Sequence, residues 1–520
     1  MPALIDRTRG PAAPLASSLA SSLALPVVLV LAAALLVAVT PHPSPGAAPA
    51  ERAQRWVGYR IPRTGTAGGG WIGGYRLGEA RLYVTTPSKR HNRAGYEPPQ
   101  PVGDLHESRG ASRGETRRAA WILSKYGGYR DATQAAAVDA AVKHLLAAKR
   151  WRITDAAGSR RIRQARRSAD VRRFARIMLA GSRRSAGVYR AQVTAAGADV
   201  GGTIEVAVSV TDGHGAPASG LPVTLAAAGE APVEGVTGDD GRAVARFAAG
   251  QRGWRDVAAT VHEVPEHRLL LRAPVRRRQA SAAEGGVKRT IVVGAAAPVR
   301  GPQSLSLAPS PATITVGSPT RVLATVAGDG VPRTVTGTLH GPFASAAAAD
   351  CTGSPSATVT ATVAADGQHA LPPVSPGAGG YHAWRVTVDG TATSLPVSAC
   401  SPPVRVRAVT RTSVWSDAPT MALGEVGATG EVADLPFPVP VTLTGTLFGP
   451  YPSEGARSAD LCGTSAGSVS RTRTGVGRVH FTLEALQPGY YAWRAETPPG
   501  DLWLGSSSPC LAAGSLLHVP

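Results

Sequence analysis

Two stretches of the 520-residue chain decide its fold: Val-Thr-Gly-Thr-Leu-His-Gly-Pro-Phe at 335–343 and Leu-Thr-Gly-Thr-Leu-Phe-Gly-Pro-Tyr at 443–451. In each stretch, apolar and polar residues alternate up to a Gly-Pro pair, which is the pattern of a half-buried β-strand ending in a turn. The two Gly-Pro pairs lie 108 residues apart, and a Gly-Tyr-x-Ala-Trp-Arg segment follows each of them, at 380–385 and 489–494. This spacing predicts that one domain has been copied in tandem.

Turn signals of the types Gly-Pro, Asp-Gly and Pro-Gly separate short alternating runs within each copy. Strands that recur every ~8–12 residues in a domain of this size are typical of an Ig-like β-sandwich. We therefore expect Ig-like repeats at 304–407 and 408–520. Trp384 and Trp493 occupy equivalent strand positions in the two repeats and are expected to anchor their cores. The predicted fold class is multidomain and mainly β, built from Ig-like sandwiches, with an N-terminal mixed α+β domain.

The repeats resemble tandem Ig-like modules of actinobacterial surface and secreted proteins. In those modules a Leu-x-Gly-Pro-Phe/Tyr turn, a Cys, a Gly-Tyr-Tyr-x-Trp-like strand and a closing Cys recur. The resemblance implies a spacer or an adhesive stalk.

Residues 188–274 also alternate, with Asp-Gly turns at 212–213 and 240–241 and a Gly-Leu-Pro-Val segment at 220–223. This order of strands and turns resembles the bacterial Ig-like domains of invasin-type adhesins. An Arg-rich and then Ala/Gly-rich stretch follows, and we expect residues 275–303 to form a linker.

Helical periodicity dominates the preceding segment, 51–187. One helix is predicted to end at Tyr126 before Gly127-Gly128, and a second is predicted to begin after Asp131. A third helix is predicted in the basic stretch that follows, with an apolar stripe formed by Ile162, Ala165, Ala169, Phe174 and Ile177. Trp71 to Val84 is predicted to form strands, so this N-terminal domain, the head, is expected to mix α and β structure.

The head resembles the thioester domains of Gram-positive surface adhesins over roughly 70–150. Thr133-Gln134-Ala-Ala-Ala-Val matches the family's Gln motif at a helix start, whereas the strand motif reads Tyr83-Val84-Thr85-Thr86. Val84 stands where the family has its nucleophilic Cys. The resemblance therefore implies a thioester-like fold that has lost covalent capture, and Gln134 is explained equally well by a capping box with Asp131.

The N-terminus carries the order of regions that is typical of a secretory signal. Arg7 and Arg9 precede an apolar run at 23–39, and Ala48-Pro49-Ala50 offers a small-x-small cleavage site. We expect residues 1–50 to be a signal segment and the chain to be extracellular or at the cell surface. An uncleaved N-terminal membrane anchor is the alternative, and no further transmembrane segment is predicted.

Cysteine usage fits export. The chain has four cysteines, all in the two repeats: Cys351, Cys400, Cys462 and Cys510. An even number of cysteines in an exported chain indicates disulfides. The simplest pairing is one bridge within each repeat, and pairing between the repeats is the alternative.

Charge is placed unevenly along the chain. The formal net charge is +20, residues 301–520 carry −2, and residues 149–190 alone have 14 basic and 2 acidic side chains. Such a block is either a solvated helix face or a surface for a polyanion of the cell envelope. We expect no specific binding of nucleic acid.

No motif in the chain predicts catalysis. The Gly-Thr-Ser-Ala-Gly segment at 463–467 lies inside a β repeat rather than at a strand-turn-helix elbow. His262 and His267 are five residues apart with Pro265 between them, so they do not form a zinc-protease motif. We expect no catalytic residues, metal ligands or cofactor.

The sequence therefore favours a non-enzymatic structural or adhesive protein, in which a head on an Ig-like stalk binds an unknown extracellular ligand. The alternatives are an exported hydrolase with its site in the head and a cell-envelope polyanion binder that uses 149–190.

Overall fold

The structure is a computed structural model that describes residues 52–62, 70–105 and 110–520. The predicted signal segment at 1–50 lies outside the described residues. The described part of the chain is mainly β, with helices concentrated in the head.

The elements of the head and the first Ig-like domain follow in chain order. The head begins with β1 (Gln54–Ile61), β2 (Gly70–Leu77), β3 (Ala80–Val84), β4 (Gln100–Val102), α1 (Arg113–Tyr126), α2 (Ala132–Leu146), a 3-10 turn (Lys149–Trp151), α3 (Ala156–Arg163) and α4 (Ser168–Ser185). Then come β5 (Arg190–Ala195), β6 (Ala198–Asp199), β7 (Thr203–Thr211), β8 (Pro222–Ala227), β9 (Val233–Val236), β10 (Arg242–Ala248), β11 (Gly253–Pro265), β12 (Leu269–Arg272), β13 (Ala282–Gly285) and β14 (Lys288–Arg300).

The two repeats supply the remaining elements. The first contains β15 (Ser304–Ser310), β16 (Thr313–Thr315), β17 (Arg321–Ala327), β18 (Arg333–Phe343), a 3-10 turn (Ala346–Ala348), β19 (Ala357–Val363), β20 (Gly367–Ala370), β21 (Gly380–Val388), β22 (Val397–Cys400) and β23 (Val404–Val409). The second contains β24 (Arg411–Ser416), β25 (Gly424–Ala433), β26 (Pro440–Tyr451), α5 (Glu454–Asp460), β27 (Ser465–Thr474), β28 (Gly477–Ala485), β29 (Gly489–Thr497), β30 (Trp503–Leu504), β31 (Ser506–Ser507) and β32 (Leu516–Val519).

The head sheet takes two of its six strands from much later in the chain. Its order is β1-β2-β3-β13-β12-β4, and β13 pairs with β3 through Ala282 opposite Val84. The next strand, β14, pairs along its length with β11 of the first Ig-like domain. The prediction that 275–303 forms a linker is therefore wrong. The alternating and small residues of this stretch fill two sheets, so its Ala/Gly content reflects tight packing and not flexibility.

The first Ig-like domain is a sandwich of two sheets, with orders β10-β7-β5 and β6-β14-β11-β8-β9. Its core is continuous with the core of the head, since buried residues from both belong to one cluster that runs from Ile61 to Val299. Because the chain also crosses between the two parts three times, the head and this domain form a single packed body. The predicted end of the domain at 274 is therefore too early, because β14 completes one of its sheets.

Local sequence explains where the head helices begin. Ser112 caps α1 in a full capping box with Glu115. At α2, the carboxylate of Asp131 accepts the N–H of Gln134 at 2.8 Å. Within the described part of the chain, no bond from the Gln134 side chain returns to Asp131, so only half of the expected box is present.

The predicted stripe in the basic segment is only partly right. Ile162 is buried, but Ile177 is 56% exposed. The helical conformation is interrupted between α3 and α4. The direction in which side chains point on α3 therefore does not continue with the same periodicity into α4. The apolar face of α4 is formed instead by Val171, Ala175, Met178 and Leu179.

Each repeat is a two-sheet sandwich with its own core. The first pairs β15-β17-β20 with a sheet built around β23-β21-β18-β19, and the second pairs β24-β25-β28 with β27-β26-β29. Trp384 and Trp493 are both fully buried. In each copy the long central strand shifts register at its Gly-Pro pair, between His340 and Phe343 and between Phe448 and Tyr451.

Each repeat is closed by one disulfide, Cys351–Cys400 in the first and Cys462–Cys510 in the second, with Cα–Cα distances of 5.9 and 6.1 Å. None of the four cysteines is buried. The bridges therefore tie loops at the surface and leave core packing to other side chains.

Equivalent backbone contacts hold the two domain junctions. Gly301 N–H bonds to Thr393 O at 3.0 Å where the first repeat begins, and Ala408 N–H bonds to Leu502 O at 2.8 Å where the second begins. At the second junction, Arg405 also pairs with Asp501 at 2.7 Å. The connection between successive domains has thus been copied together with the domains.

Candidate functional site

A pocket in the described part of the chain lies where the head meets the first Ig-like domain. It has a volume of about 400 Å³ and lies between the end of α1, the chain entering β5, the β7–β8 loop and the facing ends of β11 and β14. Its lining residues are Trp121, Ser124, Lys125, Tyr129, Ser185, Tyr189, Asp212, Pro217, Ala218, Ser219, Gly220, Leu221, Glu263, Pro265 and Lys288. Pockets of this size at domain interfaces are common sites for small ligands.

Aromatic rings form one wall of this junction pocket. The indole Nε1–H of Trp121 donates to the hydroxyl of Tyr189 at 3.0 Å, which fixes both rings. Tyr126 packs edge-on to Trp121 and lies 5.7 Å from Tyr129, measured between ring centres. Tyr129 is 39% exposed, so it offers a ring to an incoming ligand. Burial raises the pKa of Tyr189, so this hydroxyl stays neutral and can act as donor or acceptor.

Charged groups share the lining of the pocket with the rings. The Lys125 ammonium lies 5.2 Å from the centre of the Trp121 ring, and burial lowers its pKa. Lys288 forms an ion pair with Glu263. The buried carboxylate of Asp212 accepts two backbone N–H groups of its own loop at 2.9 and 3.1 Å. The pocket therefore presents both donors and acceptors beside the exposed ring of Tyr129.

Close backbone contact fixes the floor of the pocket. Ser124 Oγ donates to Val287 O at 2.6 Å and accepts the N–H of Glu266 at 3.0 Å. A Cβ on Gly127 would lie 2.5 Å from the Cα of Gly285, so glycine is needed at the end of α1. The stretch between β11 and β14 is thus clamped against α1.

The lining of the pocket contains no serine–histidine or cysteine–histidine pair. Ser124, the serine at the floor, is committed to two backbone bonds, and neither histidine nor cysteine is among the lining residues. A nucleophile and a base within hydrogen-bond reach are needed for acyl transfer. The described residues of the pocket do not bring such a pair together.

The two positions matched to the thioester motif are not brought together. Val84 packs with Tyr75, Leu82 and Ala282 on one face of the head sheet. The adjacent Tyr83 points to the other face, where its hydroxyl donates to Gly127 O at 3.2 Å and its ring joins the core of the helices. Gln134 lies in the first turn of α2 on that helical face. Position 84 therefore faces away from Gln134, and the residue match does not extend to the geometry of a thioester.

A buried charge cluster that was not predicted from the sequence lies in the head. Lys143 Nζ lies 2.6 Å from Asp139 Oδ2, one helical turn away in α2, and Arg161 lies 3.6 Å from the same carboxylate. Burial lowers the pKa of Lys143 to about 8. The available signal was an Asp and a Lys four residues apart in a helix otherwise rich in Ala and Val.

The remaining motifs have structural explanations. His262 Nε2 lies 2.9 Å from Thr224 Oγ1 on a neighbouring strand. Ser465 begins β27, so the Gly-x-Ser-x-Gly segment is not an elbow between a strand and a helix. Among the described residues, no group of three or more His, Cys, Asp or Glu side chains could hold a metal ion. Within the same residues, no helix is long and apolar enough to cross a membrane.

No protein-family model and no curated protein matches the chain. Among solved structures, it is similar to the Escherichia coli adhesin FdeC, with 17% identity and a TM-score of 0.25 over 64% of this chain and 97% of the adhesin. It is also similar to invasin, a bacterial integrin-binding protein, with 12% identity and a TM-score of 0.23 over 62% of this chain and 60% of invasin. A three-Ig-domain fragment of titin has 11% identity and a TM-score of 0.33 over 64% of this chain and 97% of the fragment. These values are too low to support an inference about function.

Proposed function

We propose that the chain is an exported, non-enzymatic adhesive protein that binds an extracellular ligand in the junction pocket and uses its two Ig-like repeats as a stalk. The pocket carries this proposal. Its volume of about 400 Å³ falls in the range of small-ligand sites, and the partly exposed ring of Tyr129 lies among mixed polar groups.

The chemistry of the walls suits a sugar residue. The C–H face of a pyranose can lie against a ring such as Tyr129, while its hydroxyls accept from the ammonium of Lys125 and exchange hydrogen bonds with Ser185 and Ser219. A rigid pocket limits the ordering cost of binding, because the shared core of the head and the first Ig-like domain holds its walls in place.

The repeats support the role of a stalk. Each has a separate core, a closing disulfide and the same backbone contacts to the preceding domain. A stalk of this kind needs to be stable outside the cell, where thiols are oxidised and disulfides persist.

A saccharide array tests the proposal with the full-length chain. The wild-type protein is expected to bind at least one class of glycan, and Tyr129→Ala is expected to weaken that binding at least tenfold. Trp254→Ala is the matched control, since Trp254 is 62% exposed on the first Ig-like domain and does not line the pocket.

Two outcomes would overturn the proposal. Either no glycan binds, or both variants lose binding equally. Turnover of an ester or a glycoside by the wild-type chain, abolished by Ser185→Ala or Ser219→Ala in the pocket, would favour the alternative of an exported hydrolase.

A further inference from the structure

A second concave surface lies on the head, away from the junction pocket. α3 and the first half of α4 border an open groove with a volume of about 510 Å³. Its lining residues are Arg163, Ser168, Ala169, Arg172, Arg173, Arg176 and Ile177. Four of these seven residues are arginines, and none is acidic.

The guanidinium groups of this arginine groove are largely unneutralised. Arg163 and Arg172 both donate to Ser159 Oγ, at 2.8 and 3.0 Å, and a serine hydroxyl brings no charge. Arg173 pairs with Asp170 at 3.2 Å. In the part of the chain that the structure describes, the side chain of Arg176 makes neither a hydrogen bond nor an ion pair. The groove therefore keeps close to three positive charges without a carboxylate partner.

Like charges held this close repel one another, and an anion bound in the groove would relieve that repulsion. We propose that the arginine groove binds a linear polyanion that presents phosphate groups. Arg172 and Arg176 are one turn apart on α4, a rise of ~6 Å along the helix. Arg163 approaches from α3, so donors reach the groove from two sides.

Donors from two sides suit a tetrahedral phosphate, whose oxygens point in several directions, better than a planar carboxylate. Guanidinium groups form paired, charge-assisted bonds with phosphate oxygens. The groove is also open along α4, so a polymer can bind along it without inserting a free end.

A membrane surface fits the groove less well. Ile177 is the one large aliphatic side chain in its lining, whereas Val171, Met178 and Leu179 of the same helix are buried in the core. A helix that lies in a bilayer interface needs a continuous apolar face for the lipid. A soluble polymer is therefore the occupant that the groove favours.

The test measures the affinity of the full-length chain for long-chain inorganic polyphosphate at two salt concentrations. The variant Arg172→Gln/Arg176→Gln is expected to bind at least tenfold more weakly at low salt and to show a shallower salt dependence. Its matched control is Arg183→Gln/Arg184→Gln, which removes the same charge from exposed positions of α4 outside the groove. This control is expected to change the affinity less than twofold.

Three results would overturn the proposal. An equal loss of polyphosphate affinity in both variants would mean that the polymer is attracted by the net charge of the protein and does not bind at a specific site. If polyglutamate binds as tightly as polyphosphate, and the groove variant weakens both equally, the groove does not prefer phosphate. Binding to phosphatidylglycerol vesicles that falls with Ile177→Ala, without binding to polyphosphate, would identify a membrane surface instead. Tyr129→Ala is expected to leave polyphosphate binding unchanged, so this test is independent of the junction pocket.

Discussion

Removing one disulfide is expected to destabilise one repeat and leave the rest of the chain unchanged. The variant Cys351→Ser/Cys400→Ser opens the loop closed by two cysteines that have a sequence separation of 49. On the chain-entropy estimate, a loop of that size stabilises the folded state by about 4 kcal/mol, because the bridge restricts the unfolded chain. Since neither cysteine is buried, little core packing is lost, and this entropic contribution is expected to dominate.

The assay is differential scanning calorimetry of the full-length protein. A loss of about 4 kcal/mol in a domain of roughly 100 residues corresponds to a fall of roughly 15–30 °C in its Tm. The transition of the head and first Ig-like domain is expected to stay in place, since that body contains no cysteine. Cys462→Ser/Cys510→Ser is the matched variant, with a separation of 48 residues and an equivalent shift in the second repeat.

The reasoning would be refuted by either of two results. The first repeat could keep its Tm within a few degrees, which would mean that the unfolded chain is already restricted there. Alternatively, the head transition could fall by the same amount, which would mean that the two bodies unfold as one unit.

Four further predictions concern the head. Lys143→Met is expected to lower the free energy of unfolding by about 3 kcal/mol in urea titrations, because it leaves a buried carboxylate short of a partner, whereas the exposed Lys149→Met is expected to change it little. The wild-type free energy of unfolding is expected to rise between pH 8 and 10.5 relative to Lys143→Met, since the folded chain releases the Lys143 proton at about pH 8 and the unfolded chain near 10.5; parallel curves would contradict this. Gly127→Ala is expected to destabilise the head by about 2 kcal/mol through backbone overlap, and Gly103→Ala, which meets no atom within 4 Å, serves as its control. Intact mass spectrometry is expected to show neither loss of ammonia at Gln134 nor methylamine adducts. Either signal would mean that a thioester is present.

Local patterns in the sequence carried much of the information on the fold. The alternation around Gly341-Pro342 and Gly449-Pro450 predicted the two central strands, and the buried tryptophans follow from the same period of two. These patterns work because each repeat pairs strands that are close in sequence. The mainly β fold class with an α+β N-terminal domain is correct.

Pairing between distant segments could not be predicted in the same way. β13 is short and consists of Ala, Glu and Gly, so nothing in its composition distinguishes a strand from a linker. Its partner β3 lies about 200 residues earlier, and a single sequence carries no signal for such a pairing. The predicted apolar stripe through Ile177 was wrong because the helix is interrupted between α3 and α4, so one helical periodicity does not extend over both. The junction pocket was missed because its walls come from segments between Trp121 and Lys288 that only the fold brings together.

The route of the chain through the head also has an evolutionary consequence. Each of the two repeats is a continuous segment, so unequal recombination can duplicate or delete one without disturbing its neighbours. The head and the first Ig-like domain are interleaved, since β12 and β13 leave one domain to complete the sheet of the other. A gene fusion that joined new sequence after residue 187 would produce a head whose sheet lacks two strands. We therefore expect these two parts to be inherited together as one block, while the number of repeats behind them is free to vary among relatives.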